Sequence, residues 1–360
     1  MSYKRKRITV KIGSNVLARP DGTLDITRMS ALTDQIAKLH KAGVEIIVIS
    51  SGAVASGRSE LKIHRKLDAV SARQLFSAVG QAKLINRYYE LFREHNIACG
   101  QVLTTKENFS TRRQYLTQKQ CMEVMLENKV IPIVNENDTI SVTELMFTDN
   151  DELSGLVAAM MGAEALVILS NIDGIYDGSP SDPASQVIRR VAPGRDLSQY
   201  IDTARSSRGR GGMTTKSRIS SRAAGEGIEV VIANGRRDNI LTDLILTDRD
   251  VVCTRFEAAP RPASGVKKWI ASSEGFAKGA LHLDAGAAAA VSQSKAASIL
   301  AVGVTAVEGD FERDDIVRIL SPEGAPLGVG RISCDSATAR RNLGRKGLKP
   351  LIHCDYLYLE

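Results

Sequence analysis

Charged and polar side chains follow the apolar segments of this sequence, at the point where each segment ends. Lys11 lies in the first segment just before a glycine, Ser51 follows the second segment, and Asn135-Glu-Asn-Asp138 follows the fourth. Asp149-Asn-Asp151 then opens a segment of helical periodicity, where Asp and Asn side chains can cap the first amides. Because ligands of parallel α/β sheets bind at the carboxyl ends of the strands, these positions predict a ligand site.

A glycine-rich basic segment, Gly209 to Lys216, precedes another predicted helix. The wider stretch from Ala204 to Ala224 holds six basic residues and no acidic one, in a chain of net charge +7. The free amides and positive dipole of a helix N-terminus can hold a phosphate. No Gly-Lys-Ser/Thr closes the segment and no Gly-x-Gly-x-x-Gly follows the first strand, which disfavours a P-loop and a dinucleotide enzyme. The pattern favours phosphate handling, and a solvated basic loop is the alternative.

The order of apolar and amphipathic segments predicts the fold class. Short apolar runs alternate with helix-period segments, which is typical of an α/β protein whose parallel sheet is covered on both faces. The predicted strands are Ile8–Leu17, Val44–Ile49, Ile97–Leu103, Val130–Val134, Ala165–Leu169 and Glu229–Ile232. The predicted helices are Ile26–Lys41, Leu67–Glu94, Arg112–Glu127 and Asn150–Met161, with a hairpin-like stretch at Ile140–Phe147.

The pattern changes near residue 256, which predicts a second domain. We expect a first domain over residues 1–256, a Pro- and Gly-containing linker over 257–267 and a β-rich domain over 268–360. Its predicted strands are Ser298–Val302, Ile316–Leu320 and Gly328–Ile332. The 93 residues from Lys268 onward carry 11 basic and 11 acidic side chains. Since an RNA-binding module should be locally basic, RNA binding is not predicted for this domain.

Composition excludes several classes of protein. Hydrophobic residues make up 43% and charged residues 25% of the 360 residues, as in ordinary globular proteins. The five cysteines form no Cys-x-x-Cys pair and the five histidines have no ligand spacing, so we predict no metal site. There is no run of about 18 apolar residues and no signal-peptide core. We therefore expect a cytoplasmic protein that contacts no membrane.

Taken together, these segments resemble the glutamate 5-kinase family of the amino-acid kinase superfamily. The matching stretches are Val10–Ser14, Val48–Ala53, Val79–Lys83, Pro132–Asp138, Asp149–Asp151 and Gly211–Lys216. The second domain resembles a PUA domain, an RNA-binding β-barrel module, at Lys268–Ile270, Leu283–Ala287, Gly309–Phe311 and Asp315–Ile319. The resemblance implies a three-layer, parallel-sheet amino-acid kinase fold followed by a small β-barrel-like PUA domain.

The resemblance also implies an activity and a set of site residues. The activity is ATP-dependent phosphorylation of the glutamate side-chain carboxylate to L-glutamyl 5-phosphate, the first step of proline biosynthesis. Lys11 and Lys216 would be the catalytic cations, and Asp151 their ionic partner. The implied glutamate-binding residues are Ser51, Asn135, Asp138 and Asn150. Among these, Asp138 suits the ammonium group, and the amide and hydroxyl donors suit the carboxylates.

ATP is the implied cosubstrate, with Mg²⁺ bridging its phosphates. The implied nucleotide contacts are Lys11, Ser170, Asn171, Arg210, Gly211, Gly212, Met213, Thr214, Thr215 and Lys216. Many members of the family have Thr-Asp where this chain has Ser170-Asn171. The amide oxygen of Asn171 can still accept a hydrogen bond, but the negative charge of the aspartate is lost.

Two other readings stay open from the sequence. One is another kinase of the superfamily, acting on acetylglutamate, UMP or an isoprenoid phosphate, although these are not expected to combine Asn135-Glu-Asn-Asp138 with a PUA tail. The other is an RNA-binding or RNA-modifying protein with an inert kinase fold, which the presence of Lys11, Asp151 and Lys216 disfavours. The family further implies a homodimer or homotetramer, inhibition by proline and hand-over of the labile product to glutamyl phosphate reductase.

Overall fold

The structure is a computed structural model that describes residues 6–63, 66–109, 112–140, 147, 149–180, 182–200, 212–260, 270, 277–293 and 297–359. The chain forms two compact units. The larger contains Met1–Lys106 and Thr117–Pro262, and the smaller contains Glu107–Leu116 and Ala263–Glu360. The sequence did not indicate that Glu107–Leu116 groups with the smaller unit. The domain limits given above stay predictions.

The larger unit is built on eight strands within the described residues. They are β1 (Arg7–Ile12), β2 (Glu45–Ile49), β3 (Cys99–Thr104), β4 (Ile131–Glu136), β5 (Ala165–Ser170), β6 (Arg190–Val191), β7 (Glu229–Asn234) and β8 (Thr254–Phe256). The helices up to residue 262 are α1 (Ser14–Leu17), α2 (Ile26–Lys41), α3 (Ala53–Glu60), α4 (Ala69–Glu94), α5 (Arg112–Glu127), α6 (Asn150–Met161), α7 (Met213–Gly225) and α8 (Ile240–Ile245).

These strands form one sheet in the order β3-β4-β2-β1-β5-β7-β8-β6. Neighbours pair in parallel from β3 through to β7, which confirms the predicted parallel arrangement for that part of the sheet. β8 runs antiparallel to β7, so this edge of the sheet departs from the parallel arrangement. β6 and β8 have only two and three residues, which is too short to give a periodic signal in the sequence.

Helices cover both faces of the sheet. The side chains of β5 show this, since they alternate between two apolar cores, one on each face. Ala165, Val167 and Leu169 belong to a core that includes residues of α2 and α4, whereas Leu166 and Ile168 belong to one that includes residues of α6 and α7. Successive side chains of a strand point to opposite faces, so an unbroken apolar run is the pattern that a doubly covered strand requires.

Capping side chains begin three of the correctly predicted helices. Asp25 accepts from the Arg28 amide at the start of α2, Asp68 from two amides of α4, and Asp149 from two amides of α6. The predicted strand Ile8–Leu17 is wrong beyond Ile12. There Gly13 donates to the β5 carbonyl of Leu169 and accepts from the amides of Val16 and Leu17, which starts the short helix α1. The hairpin-like stretch lies mostly outside the described residues.

The smaller unit contains a five-stranded sheet. Its strands are β9 (Gly279–Leu283), β10 (Val304–Gly309), β11 (Ile316–Leu320), β12 (Pro326–Arg331) and β13 (Leu357–Leu359), with helices α9 (Ala285–Gln293) and α10 (Ser336–Arg341). The order is β10-β9-β11-β12-β13 around a core that includes Leu281, Val317 and Ile352.

The strand predicted at Ser298–Val302 is wrong, because Ala301–Gly303 is a 3-10 turn. Ile299 and Ala301 are buried and Leu300 is exposed, an alternation that a strand would also produce. Over the described ranges of the whole chain, no helix is both long and apolar enough to cross a membrane.

Candidate active site

The carboxyl ends of four adjacent strands carry predicted site residues. In the sheet order β4-β2-β1-β5 these are Asn135, Ser51, Lys11 and Ser170. α6, which begins at Asn150, packs against all four strands. The site therefore has a linear layout, with the predicted glutamate-binding positions at β4 and β2 and the predicted nucleotide-binding positions at β5.

Two lysines meet one buried aspartate near the middle of this layout. Lys11 Nζ of β1 lies 2.6 Å from Asp151 Oδ1, and Lys216 Nζ of α7 lies 2.9 Å from Asp151 Oδ2. Asp151 is 0% exposed, and the lysines are 5% and 9% exposed. The structure thus brings together the three residues predicted as catalytic, in a cluster of net charge +1. Their chemical roles stay predictions.

Burial and charge act in opposite directions on Asp151. Burial alone would raise the pKa of this carboxyl group, but the ammonium groups of Lys11 and Lys216 hold its pKa below the ordinary value. The neighbouring Asp149 behaves differently, since burial and then the charge of Asp151 raise its pKa. Asp149 Oδ1 caps α6 by accepting from two amides, at 2.9 and 3.0 Å. Asp149 Oδ2 is buried and accepts no hydrogen bond from the described residues.

The N-terminus of α7 lies beside this cluster and is suited to an anion. The helix begins after Gly212, no described side chain accepts from its first amides, and its first turn has no acidic residue. Gly212, Met213 and Lys216 line a cavity, and Thr214 and Thr215 lie in the same first turn. The amides and helix dipole of such an end favour a phosphate group. Arg210 and Gly211, also predicted to bind the nucleotide, lie outside the described residues.

Three of the predicted glutamate-binding residues converge at the start of α6. Asn150 Nδ2 donates to the Ser50 carbonyl at 2.8 Å, to Ser51 Oγ at 3.0 Å and to Asn135 Oδ1 at 3.0 Å. Gly52 follows with φ +106°, a conformation that favours glycine and lets the chain turn from β2 into α3. These contacts fix the relative positions of Ser51, Asn135 and Asn150 at the edge of the cavity.

Asp138, the fourth predicted glutamate-binding residue, has a cationic partner that the sequence did not reveal. Arg73 of α4 donates to Asp138 Oδ1 from Nε at 2.6 Å and also from Nη2. The same Nη2 lies 3.1 Å from Glu136 Oε2. One guanidinium therefore binds two carboxylates, and the net charge of the three groups is −1. We call Arg73, Glu136 and Asp138 the acidic cluster.

A stripe of polar side chains on α4 supports the acidic cluster. Ser77 Oγ donates to Asp138 Oδ2 at 3.4 Å, and Gln81 Nε2 donates to the Glu136 carbonyl at 3.2 Å. Arg73, Ser77 and Gln81 are spaced four residues apart and therefore share one helix face. Ser77 and Gln81 are 0% and 6% exposed. Polar residues at this spacing along a helix are a sequence signal that could have drawn attention to Arg73, although not to its partner.

The predicted nucleotide contacts at the end of β5 are only partly enclosed. Ser170 is buried and Asn171 is exposed, and both line the cavity. The loop that follows is held by Asp173, which accepts from Arg237 Nε at 2.9 Å and Nη2 at 2.8 Å, and from Asn234 Nδ2 at 3.0 Å. This loop continues to Tyr176, which also lines the cavity.

A single cavity of about 1470 Å³ joins these groups. It is lined by the lysine–aspartate cluster, by Ser51, Asn135, Asn150 and the acidic cluster, and by Ser170, Asn171 and the start of α7. Its volume exceeds the usual range of about 300–1,000 Å³ for one small-molecule site. The cavity therefore has room for two substrates, with the two lysines between an anion-binding end and a polar end.

Comparison with known proteins gives family matches for both units. A model described as the amino acid kinase family matches residues 6–234, and a model described as the PUA domain matches residues 279–351. The glutamate 5-kinase of Bacteroides thetaiotaomicron is 68% identical over 360 residues, which is 100% of both chains. The glutamate 5-kinase of Chlorobaculum tepidum is 45% identical, and the match covers 98% of this chain and 97% of that protein. The glutamate 5-kinase of Brucella ovis is 38% identical, and the match covers 95% of this chain and 89% of that protein.

Solved structures resemble the larger part of the chain. The UMP kinase of Bacillus anthracis gives a TM-score of 0.50 at 14% identity, over 70% of this chain and 96% of that one. An isopentenyl phosphate kinase gives a TM-score of 0.50 at 15% identity, over 69% and 99%. At such identities the likeness concerns the fold alone.

Proposed function

This chain belongs to the glutamate 5-kinase family, within the amino acid kinase family, and from this membership we propose its reaction. It transfers the γ-phosphoryl group of ATP to the side-chain carboxylate of L-glutamate, which gives L-glutamyl 5-phosphate and opens proline biosynthesis. The observation that carries the proposal is the position of Lys11 and Lys216, bound to Asp151 between a polar subsite and a helix N-terminus.

The chemistry requires alignment and positive charge rather than a base. A glutamate side chain has a pKa of about 4.3 and is already ionised at neutral pH. The carboxylate must approach a γ-phosphoryl group that is itself anionic, so the barrier is electrostatic. Lys11 and Lys216 offset this repulsion, and Asp151 holds both ammonium groups within 2.9 Å of its oxygens. Such preorganised charge is a major source of catalysis.

Glutamate would lie at the polar end of the cavity and ATP at the other. Ser51, Asn135 and Asn150 offer amide and hydroxyl groups to the carboxylates of glutamate, and Asp138 receives its ammonium group. The nucleotide would lie along Ser170, Asn171 and the residues from 210 to 216, with its phosphates at the start of α7.

Mg²⁺ would enter with ATP, and when bound it neutralises charge on the phosphates. Both oxygens of Asp151 already face ammonium groups, whereas Asp149 Oδ2 is buried and accepts no hydrogen bond from the described residues. A carboxylate oxygen is a ligand type that Mg²⁺ prefers. Asp149 is therefore the residue of this group that would hold the ion or one of its waters.

Four further properties are proposed from the family alone. The protein acts in the cytoplasm as a homodimer or homotetramer, it is inhibited by proline, and it passes its labile product to glutamyl phosphate reductase. No RNA substrate is assigned to the smaller unit.

A hydroxamate assay tests the reaction directly. The full chain is incubated with ATP, Mg²⁺, L-glutamate and hydroxylamine, which traps an acyl phosphate as a coloured hydroxamate. We expect hydroxamate in proportion to ADP, with glutamate strongly preferred over N-acetylglutamate. ADP release with UMP or isopentenyl phosphate, without hydroxamate from glutamate, would instead identify another kinase of this fold.

A further inference from the structure

Three features place Arg73 at the centre of the acidic cluster rather than at its surface. Its side chain is 12% exposed, it lines the cavity, and it binds the carboxylates of Glu136, the last residue of β4, and of Asp138, two residues later. Glu136 is held independently, since its Oε1 accepts from the Phe147 amide at 3.1 Å. Asp138 depends more on α4, from which Arg73 and Ser77 donate to its two oxygens.

The charge of the cluster follows from this arrangement. Two carboxylates that share a site without a cation cannot both stay ionised at low cost, because like charges raise the pKa of one of them. The guanidinium of Arg73 removes that conflict and leaves a net charge of −1. A free α-ammonium group neutralises the remaining charge, whereas an N-acylated amino group leaves it uncompensated beside the α-carboxylate of the substrate.

We propose that Arg73 is a positioning residue that sets the charge of the amino-acid subsite, and that the subsite thereby selects a free α-amino acid over an N-acylated one. This inference rests on the proposed glutamate kinase function. Arg73 acts through Asp138, which it holds in place as the acceptor for the ammonium group. Glu136 contributes the second negative charge.

Variants of Arg73 and Glu136 test whether the net charge of the acidic cluster determines glutamate binding. Arg73→Met keeps the length and removes the cation, so Asp138 loses its ionic partner and the α-carboxylate meets two carboxylates whose charge the guanidinium no longer offsets. We expect the KM for glutamate to rise on the order of 10- to 100-fold, with the KM for ATP and kcat within about twofold of wild type. Arg73→Lys keeps the charge and should recover most of the lost affinity, although it lacks the planar fork of Arg.

Glu136→Gln provides a second test that leaves Arg73 and Asp138 paired. It brings the net charge of the cluster to zero, so the ammonium group gains less from binding. We expect the preference for glutamate over N-acetylglutamate, measured as the ratio of kcat/KM values, to fall on the order of 10-fold. Arg87→Met, on the exposed side of the same helix with its own partner Glu90, is the matched control and should leave all constants unchanged.

The outcomes separate this inference from the proposed function. If the wild type forms no hydroxamate from glutamate, the function is wrong, and calorimetric titration with glutamate alone then still reports on the subsite. If the wild type is active and Arg73→Met keeps its glutamate KM, or if Glu136→Gln keeps the full preference for glutamate, the inference is overturned. An Arg73→Lys enzyme as impaired as Arg73→Met would show that the shape of the side chain matters and its charge does not.

Discussion

The two charged clusters in the cavity are built from the same ion pairs in opposite proportions. Around Asp151, two ammonium groups share one carboxylate, and the net charge is +1. Around Arg73, two carboxylates share one guanidinium, and the net charge is −1. The central Asp151 is fully buried and the central Arg73 is partly buried, and each cluster carries one excess charge.

This difference matches the two ends of the proposed reaction. The positive cluster lies where anionic groups must approach each other, and the negative cluster lies where an ammonium group must be recognised. Ion pairing within each cluster lowers the cost of burying charge, since isolated buried ions are strongly disfavoured. Both clusters contain ion pairs, so it is the sign of the net charge of each cluster that indicates which ligand group it binds.

Removing the shared carboxylate of the positive cluster should have the largest effect. Asp151→Asn leaves two buried ammonium groups without their partner, which should lower the free energy of unfolding by about 3–5 kcal/mol. It also releases both lysines that are proposed to act as catalytic cations, so we expect kcat to fall on the order of 10³-fold. Denaturant unfolding and hydroxamate formation measure the two effects. An Asp151→Asn enzyme of normal stability and rate would contradict the role given to the cluster.

The pH dependence of the same cluster follows from the direction of the pKa shift. The pKa of Asp151 is lowered by the two lysines. The stabilisation that its carboxylate contributes is thus present above its ordinary pKa and is lost as the pH falls through the lowered value. Between about pH 6 and 8, activity should show no ionisation step from Asp151.

Removing one cation should have the next largest effect. Lys216→Ala keeps Lys11 paired with Asp151, and we expect kcat to fall on the order of 10²- to 10³-fold with glutamate binding nearly unchanged. Arg218→Ala, an exposed basic position of the same helix, is the matched control. Turnover close to that of the wild type in Lys216→Ala would remove Lys216 from the catalytic machinery.

The negative cluster should respond in KM rather than in kcat. Asp138→Ala removes the proposed ammonium acceptor and leaves Arg73 paired with Glu136 at zero net charge. We expect the KM for glutamate to rise on the order of 10- to 100-fold, because the interaction is made in the ground and transition states alike. A large fall in kcat at constant KM would instead place Asp138 among the groups that position the reacting atoms.

Local signals in the sequence were sufficient for the elements that position the positive cluster. α6 begins at Asn150 as predicted, because Asp149 caps it, and β5 was readable as an unbroken apolar run. The run from Ile8 to Leu17 was misread because its apolar residues continue past Gly13. At Gly13 the chain turns against β5, where a Cβ atom would lie 2.9 Å from the Leu169 carbonyl oxygen. That contact is not visible in one segment alone.

The negative cluster shows the limit of local reasoning. Asp138 was identified from its motif, but its partner Arg73 lies 65 residues earlier, near the start of the long helix α4. The polar spacing on α4 does not specify that pairing, which depends on how the fold brings the first turns of α4 to the end of β4. The net charge around Asp138, on which its predicted ammonium-binding role depends, can therefore be counted only once the fold is known.

Removing the smaller unit should have the smallest effect on chemistry, because both clusters belong to the larger unit. A chain of residues 1–264 is expected to form glutamyl hydroxamate with kcat and KM within a few-fold of the full chain. Its thermal midpoint should fall by several degrees, since Glu107–Leu116 groups with the residues that are removed.

Circular dichroism, hydroxamate formation, proline inhibition and solution mass measure these effects. A folded truncated chain without activity would show that the clusters require the second unit, and altered mass or proline inhibition alone would assign that unit to assembly or regulation.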